Sequence, residues 1–174
     1  IIAMGACLQG ITGYGIAIVS APLLFLISAD YLPAPMIMCA MLLTVLLVVR
    51  DKQGLQIGEL RWSMIGNLVG AFLAGITLSY IATEQFGLIF GVIVLLGVFL
   101  SFLGYQPKIN RYSCTVVGAA SGYMSTCTSV GGPPMAMLYQ NANIKHARAN
   151  MSAYFLFASL TGLVTLYFSG LFGL

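Results

Sequence analysis

The chain has 174 residues, of which 60% are hydrophobic and 6% are charged, and its mean hydropathy is +0.99. A soluble domain carries about 25% charged residues. Seven Lys and Arg together with four Asp and Glu could not cover an 18.5 kDa globule with polar groups. The composition therefore excludes a water-soluble fold and predicts an integral membrane protein.

The charged and sulfur-bearing side chains indicate no catalytic or metal-dependent chemistry. The net charge is +3, and the basic residues form short clusters between apolar runs, so the sequence shows no surface for nucleic acid. The four cysteines are widely spaced, and with a single His they lack the spacing of a zinc site. No HExxH, GxSxG or paired-acid pattern is present. We expect a protein that is not an enzyme and that uses no metal or other cofactor.

Six apolar runs are predicted to cross the membrane as helices, because hydrocarbon cannot hydrogen-bond exposed peptide groups. They cover residues 1–27, 35–49, 62–81, 86–103, 113–139 and 151–170. The first and the fifth run contain clustered helix breakers. These are Gly10, Gly13, Gly15 and Pro22 in the first run, and Gly122, Gly131, Gly132, Pro133 and Pro134 in the fifth. The sequence thus predicts an all-α polytopic membrane protein with two interrupted spans.

The basic residues predict an orientation in the membrane. Lys and Arg occur between spans two and three and between spans four and five, whereas the segments after spans one and three have none. The positive-inside rule therefore predicts that the first span starts in the cytoplasm. The segment after span five breaks the pattern, because it carries Lys145, His146 and Arg148. Three explanations stay open: a single loop escapes a statistical rule, one interrupted span is re-entrant, or these cations face a water-filled cavity and an anionic solute.

The two interrupted spans resemble each other. Gly10 and Gly122, like Pro22 and Pro134, are 112 positions apart, and an apolar run follows the proline in each copy. We interpret residues 1–112 as a first repeat of about four spans, and 113–174 as the start of a second repeat with about two. A full second copy would continue beyond Leu174, so we expect its remainder to be missing. The copies are parallel if both interrupted spans cross fully, and inverted if one is re-entrant.

Paired glycine- and proline-interrupted segments indicate a transporter binding site, since half-helices leave backbone groups unpaired at membrane depth. The positive end of a half-helix suits an anion, and hydroxyls and glycine N–H groups add donors. Packing of small residues instead explains Gly66, Gly70 and Gly75 in span three. The candidate substrate-binding residues are Thr12, Gly13, Tyr14, Gly15, Ser20 and Pro22 in the first segment, Ser125, Thr126, Thr128, Ser129, Gly131, Gly132 and Pro134 in the second, and the basic residues Lys145 and Arg148.

Three stretches carry a family resemblance: GITGYGIAIVSAPLL, SGYMSTCTSVGGPPMAMLY and KHARANMSAYFLF. They resemble the TauE/SafE family of sulfite exporters, also called the toluene-sulfonate uptake permease family. The resemblance implies two related halves, each led by a glycine-rich segment that ends in proline, and a permease for sulfite, sulfonates or other sulfur-containing anions. By this likeness the first motif is Gly10, Gly13, Gly15 and Pro22, and the second is Gly122, Gly131, Gly132 and Pro134.

The leading hypothesis is a membrane transporter, and more specifically an exporter, of small sulfur-containing anions such as sulfite or organosulfonates. A passive anion channel and a non-transporting membrane subunit stay open as alternatives. The expected partners are a small anionic solute and the lipid bilayer, and a homo-oligomer is also open. We expect the protein in the bacterial inner membrane.

Overall fold

The described part of the chain is helical. The computed structural model describes residues 1–13, 15–28, 31–80, 83–102 and 107–170, without the side chains of 83–86 and 100–102. Within these residues the helices are α1 (Ile2–Thr12), α2 (Ile16–Ile27), α3 (Ala34–Asp51), α4 (Ile57–Tyr80), α5 (Thr83–Phe102), α6 (Arg111–Thr128), α7 (Gly132–Tyr139) and α8 (Ile144–Phe168). A short 3-10 helix, Lys52–Gly54, follows α3. The all-α prediction is confirmed.

Three helices in the described ranges are long and apolar enough to cross a membrane: Ala34–Gly54, Ile57–Tyr80 and Ile144–Phe168. Large apolar side chains stay exposed along them, and Leu42 and Phe72 are 68% and 67% exposed. An apolar surface of this extent is unfavourable in water and matches lipid. The predicted integral membrane protein is confirmed.

Helices α4 and α6 lie side by side because glycines remove the side chains that would separate them. A Cβ on Gly66 would collide with the carbonyl oxygen of Thr115, and a Cβ on Gly118 would collide with the carbonyl oxygen of Ser63. Small residues spaced four apart permit this close approach between membrane helices. The packing role predicted for Gly66, Gly70 and Gly75 is confirmed, since a Cβ on any of the three would meet a neighbouring helix.

A buried chain of hydrogen bonds ties α4, α6 and α8 together. The hydroxyl of Tyr154, which is fully buried, donates to the carbonyl of Gly118 at 2.9 Å and accepts from Asn67 Nδ2 at 3.2 Å. Thr161 Oγ1 donates to Asn67 Oδ1 at 2.6 Å. Unpaired polar groups are costly in hydrocarbon, so these bonds fix the three helices relative to one another.

The first interrupted run is a helical hairpin. Gly13 and Gly15 have φ values of 87° and 129°, a region that favours glycine, and they lie where α1 ends and α2 begins. A Cβ on Gly5 would lie 2.7 Å from the carbonyl oxygen of Ile16, and Ser20 Oγ donates to the carbonyl of Ile1 at 3.4 Å. Both contacts require α1 and α2 to run antiparallel, so the chain turns back instead of continuing across.

The fifth run is a second helical hairpin. Ser129 has a φ of 64° directly after α6, and α7 begins with prolines in its first turn, as predicted. Ser121 Oγ donates to the carbonyl of Gly131 at 2.6 Å, and Leu138 and Tyr139 of α7 pack in one buried cluster with Cys114 near the start of α6. Helix α7 therefore runs back along α6. Its 8 residues rise about 12 Å, which is too short to complete a crossing.

These hairpins correct part of the span prediction. The interruptions are confirmed, but a complete crossing by span one or span five is wrong, because both runs fold back. The breaks lie at residues 13–15 and 129–131, while Gly10, Pro22 and Gly122 lie inside helices. A single breaker is tolerated within a helix that packs against neighbours. The 112-residue repeat, the division at residue 112 and the missing remainder stay predictions.

The seven Lys and Arg residues lie at one end of the helix bundle, which we call the basic end. There Arg148 Nη2 lies 3.3 Å from Asp51 Oδ2, and His146 Nδ1 lies 2.9 Å from the carbonyl oxygen of Gly54. Helices α4, α6 and α8 all begin at this end. The residues are Arg50, Lys52, Arg61, Lys108, Arg111, Lys145 and Arg148.

The segment after span five is not an exception to the charge pattern. The α6–α7 hairpin returns the chain to the end where α6 began, so the segment after it lies beside the segment after α3. Two helix starts also differ from prediction: α8 begins at Ile144 instead of residue 151, and α4 begins at Ile57 instead of residue 62. Lys145 and Arg148 therefore lie in the first turns of α8, not in a loop.

Candidate functional site

The turns of the two hairpins meet at a shared cavity. Its volume is about 50 Å³, and it is partly open to the outside. Its walls come from both hairpins and from the middle of α3 and α8. The lining residues are Gln9, Gly15, Ile16, Ala17 and Ile18 from the first hairpin, Ser125, Ser129, Gly131 and Gly132 from the second, Ile37, Ala40 and Thr44 from α3, and Phe155, Ala158 and Ser159 from α8.

Two helix N-termini face this cavity. Gly15 precedes α2 and Gly131 precedes α7, and the first residues of both helices line the walls. The N–H groups of Ala17 and Ile18 lie in the first turn of α2, where a helix supplies no acceptor. Pro133 lacks an N–H group, so α7 contributes mainly its dipole and the N–H of Gly132. The positive ends of two half-helices therefore converge on one space.

Three hydroxyl side chains of the cavity wall are already used by the protein. Ser125 Oγ donates to the carbonyl of Gly122 at 3.1 Å, and Ser129 Oγ donates to the carbonyl of Pro33 at 3.0 Å. Thr44 Oγ1 donates to main-chain carbonyls of α3 at 2.9 Å. Each hydroxyl has one hydrogen, so these groups can accept from a solute but do not have a free donor for an anion.

Two other polar side chains in the wall keep free donors. Gln9 is 3% exposed, and its Oε1 accepts from the N–H of Ile16 at 3.3 Å. This bond sets the orientation of the amide, and the Nε2 group has no acceptor within the described residues. Ser159 is 8% exposed, and its hydroxyl makes no hydrogen bond in the same part of the chain. Buried polar groups are normally satisfied, so these two are available to a solute.

Among the described residues, no charged side chain lines the cavity. The nearest charges form a cluster at the basic end, beside the α1–α2 turn. Asp51 pairs with Arg50 at 2.8 Å and with Arg148 at 3.3 Å, and Arg50 Nη2 also donates to the carbonyl of Gly10 at 3.0 Å. A Cβ on Gly13 would lie 3.1 Å from the Cα of Arg148. This charge cluster holds the first hairpin turn against α3 and α8.

The structure brings five of the predicted binding residues to the cavity: Gly15, Ser125, Ser129, Gly131 and Gly132. The others lie elsewhere. Thr12 ends α1 and is exposed, and Gly13 packs on Arg148. Ser20 and Pro22 lie in α2, Thr126 and Thr128 are buried in α6, and Pro134 is buried in α7, all away from the wall. Lys145 is exposed, and Arg148 is paired with Asp51. Tyr14 lies outside the described residues. No measurement tests the binding roles, which stay predictions.

Sequence reasoning missed Gln9, Thr44 and Ser159. The signal for Gln9 was an amide side chain in an apolar run, four residues before the first glycine of the turn. A polar residue within a membrane segment is costly and is commonly functional. Ser159 gives no comparable signal, because serine also occurs at packing positions in membrane helices. Only the fold shows that α8 brings it to the hairpin turns.

Comparison with known proteins identifies the family of the chain. No curated protein and no solved structure matches the chain. A family model described as Sulfite exporter TauE/SafE matches residues 1–174, which is the whole sequence. The chain therefore belongs to the TauE/SafE sulfite exporter family, a family of membrane transporters, as its resemblance predicted.

Proposed function

We propose that this member of the TauE/SafE family transports small sulfur-containing anions, such as sulfite or an organosulfonate, and binds them in the cavity between the two hairpin turns. One observation carries the proposal: the N-termini of α2 and α7 both line the same cavity. Half-helix N-termini are the usual device by which transporters hold an anionic group at membrane depth.

The chemistry of the wall fits an oxyanion. Free N–H and O–H donors come from Gln9, from Ser159 and from the first turn of α2, while side chains such as Ile37 and Phe155 make the rest of the wall apolar. In such surroundings a hydrogen bond to an anion is stronger than in water, because the local dielectric is low. Several donors from different directions suit the three oxygens of a sulfite or sulfonate group.

We further propose that the basic end faces the cytoplasm of a bacterial cell. Clusters of Lys and Arg favour the cytoplasmic side of the inner membrane, and all seven such residues lie at this end. In this orientation the end of α1, not its start, points toward the cytoplasm. The membrane potential then favours export, since moving one negative charge outward gains about 2.3 kcal/mol per 100 mV.

Flux measurements in proteoliposomes test this function. The purified protein is given radiolabelled sulfite, with methanesulfonate, chloride and acetate as competitors. We expect saturable sulfite uptake, acceleration by unlabelled sulfite on the opposite side, and competition by methanesulfonate alone. Flux without saturation or counterflow would indicate a channel, and absence of any sulfur-anion flux would contradict the proposal.

A further inference from the structure

The free donors and the absence of cationic side chains in the cavity wall indicate which charge of anion the cavity prefers. We propose that the cavity selects singly charged sulfur oxyanions, hydrogensulfite or a sulfonate, over doubly charged ones. This inference rests on the proposed function. Gln9 and Ser159 are the side chains that contact the anion.

The positive charge that faces the cavity is limited to about one elementary charge. No Lys, Arg or His lines the cavity, so the positive potential comes from helix ends. Each helix N-terminus is equivalent to about half an elementary charge, so α2 and α7 together complement about one negative charge. A dianion would leave about one charge uncompensated in an apolar wall. The cost of removing an ion from water grows with the square of its charge, whereas attraction to the helix ends grows only in proportion to it.

The charge cluster at the basic end does not supply the missing positive charge. Arg50 and Arg148 could neutralise a second charge only if they reached the cavity, but both are paired with Asp51. Neither of these arginines lines the wall. Their combined field is therefore reduced by the carboxylate, and the hairpin turn lies between them and the cavity.

The free hydrogen-bond donors of the cavity wall match one –SO₃ group. Gln9 is 3% exposed and keeps both Nε2 hydrogens free, because its Oε1 is held by the N–H of Ile16. Ser159 approaches from α8 on another wall and is also without a partner in the described residues. Together they supply three hydrogen atoms, which matches the three oxygens of an –SO₃ group. An anion in the cavity gives both side chains an acceptor.

Charge selection is tested with two substrates in the same proteoliposomes. Sulfite changes from a monoanion to a dianion near neutral pH, whereas methanesulfonate keeps one charge throughout. We expect the apparent affinity for total sulfite to fall about tenfold per pH unit above the second pKa of sulfurous acid, while the affinity for methanesulfonate stays constant. Methanesulfonate also reports any titration of the protein itself. Sulfate and thiosulfate, both dianions, should compete at least tenfold more weakly than methanesulfonate.

The contact residues are tested by substitutions that spare the fold. Gln9→Glu keeps an oxygen for the N–H of Ile16, removes both donors and adds a negative charge, and for both reasons we expect the affinity for methanesulfonate to fall at least tenfold. Ser159→Ala should weaken binding about threefold to tenfold. The matched control is Ser152→Ala, which removes another buried, unpartnered hydroxyl of α8 that does not line the cavity. This control should bind methanesulfonate as the unchanged protein does.

Three results would overturn the inference while leaving sulfur-anion transport intact. They are a sulfite affinity that does not fall with pH, strong competition by sulfate, and normal methanesulfonate binding by both the Gln9 and the Ser159 variants. Failure of the unchanged protein to bind or move either substrate would instead contradict the proposed function. Fluorescence-detected gel filtration checks that each variant is folded.

Discussion

The two hairpins place similar turns around one cavity but are held by different forces. The α6–α7 turn is fixed by neutral hydrogen bonds: a buried one from Ser121 to Gly131 at 2.6 Å and a partly buried one from Ser129 to Pro33 at 3.0 Å. The α1–α2 turn has one buried neutral bond, from the N–H of Ile16 to Gln9 Oε1 at 3.3 Å, and it depends in addition on charged groups at the basic end, where Arg50 donates to the carbonyl of Gly10. Buried neutral bonds resist water and salt, whereas partly exposed ion pairs are weaker. This difference predicts that the second hairpin is rigid and that the first hairpin opens more easily from α3 and α8.

The largest expected effect comes from crowding the rigid turn. In Gly131→Val, the new Cβ would lie 2.7 Å from Ser125 Cβ and 2.8 Å from the carbonyl oxygen of Ser121. Such overpacking costs about 1–3 kcal/mol, and here we expect the upper end or complete loss of folding. The measurement is the midpoint of unfolding in detergent. Gly91→Val is the control, because a Cβ at Gly91 meets nothing within 4 Å. Equal stability of the two variants would contradict close packing at the second turn.

A smaller effect is expected from breaking the charge cluster. Asp51→Asn removes the partner of Arg148, whose Nε is already buried without a partner. Leaving a charged group unpaired costs about 1–3 kcal/mol, reduced here because both side chains are partly exposed. Hydrogen exchange should accelerate in residues 9–18 and stay unchanged in 121–132.

The control for this prediction is Glu59→Gln, which removes an acidic residue of α4 near the same end without a bond to the hairpin. Its exchange pattern should match that of the unchanged protein. If Asp51→Asn accelerated exchange equally in both hairpins, or in neither, the proposed difference between their turns would be wrong.

The smallest effect distinguishes two glycines of the first hairpin. Gly13 has a φ of 87° and a Cβ would lie 3.1 Å from Arg148 Cα, so Gly13→Ala should destabilise the protein by about 1–2 kcal/mol. Gly10 lies within α1 and a Cβ there meets nothing within 4 Å. Gly10→Ala should therefore stabilise it by up to about 1 kcal/mol. The measurement is the free energy of unfolding of the two variants in urea. A Gly13→Ala variant more stable than Gly10→Ala would contradict the assigned turn.

Composition and breaker pattern predicted much of this molecule. The charge content required a membrane protein, and the Gly-Gly-Pro-Pro run located the second break and the start of α7. The family resemblance, carried by the same motifs, was also confirmed. These properties are local, so a single stretch of sequence is enough to reveal them.

Chain reversal was not predictable in the same way. A cluster of glycines allows both a kink and a hairpin, and the outcome depends on contacts such as Gly5 with Ile16 and Ser121 with Gly131. The hydrogen-bond partners of the predicted donors were not predictable for a related reason. Sequence reasoning chose the hydroxyls nearest the break, but Ser125, Thr128 and Ser129 donate to main-chain carbonyls, as hydroxyls beside a helix end commonly do. Which donors stay free is a property of the fold, not of residue type.

The central claim is that an anion binds between the N-termini of α2 and α7. The most direct test is a cryo-electron microscopy or crystallographic map of the protein with methanesulfonate. The account predicts density for the anion within hydrogen-bond distance of Gln9 Nε2 and Ser159 Oγ. Density at the basic end on Lys145 or Arg148, with the cavity between the hairpin turns free of anion, would contradict it.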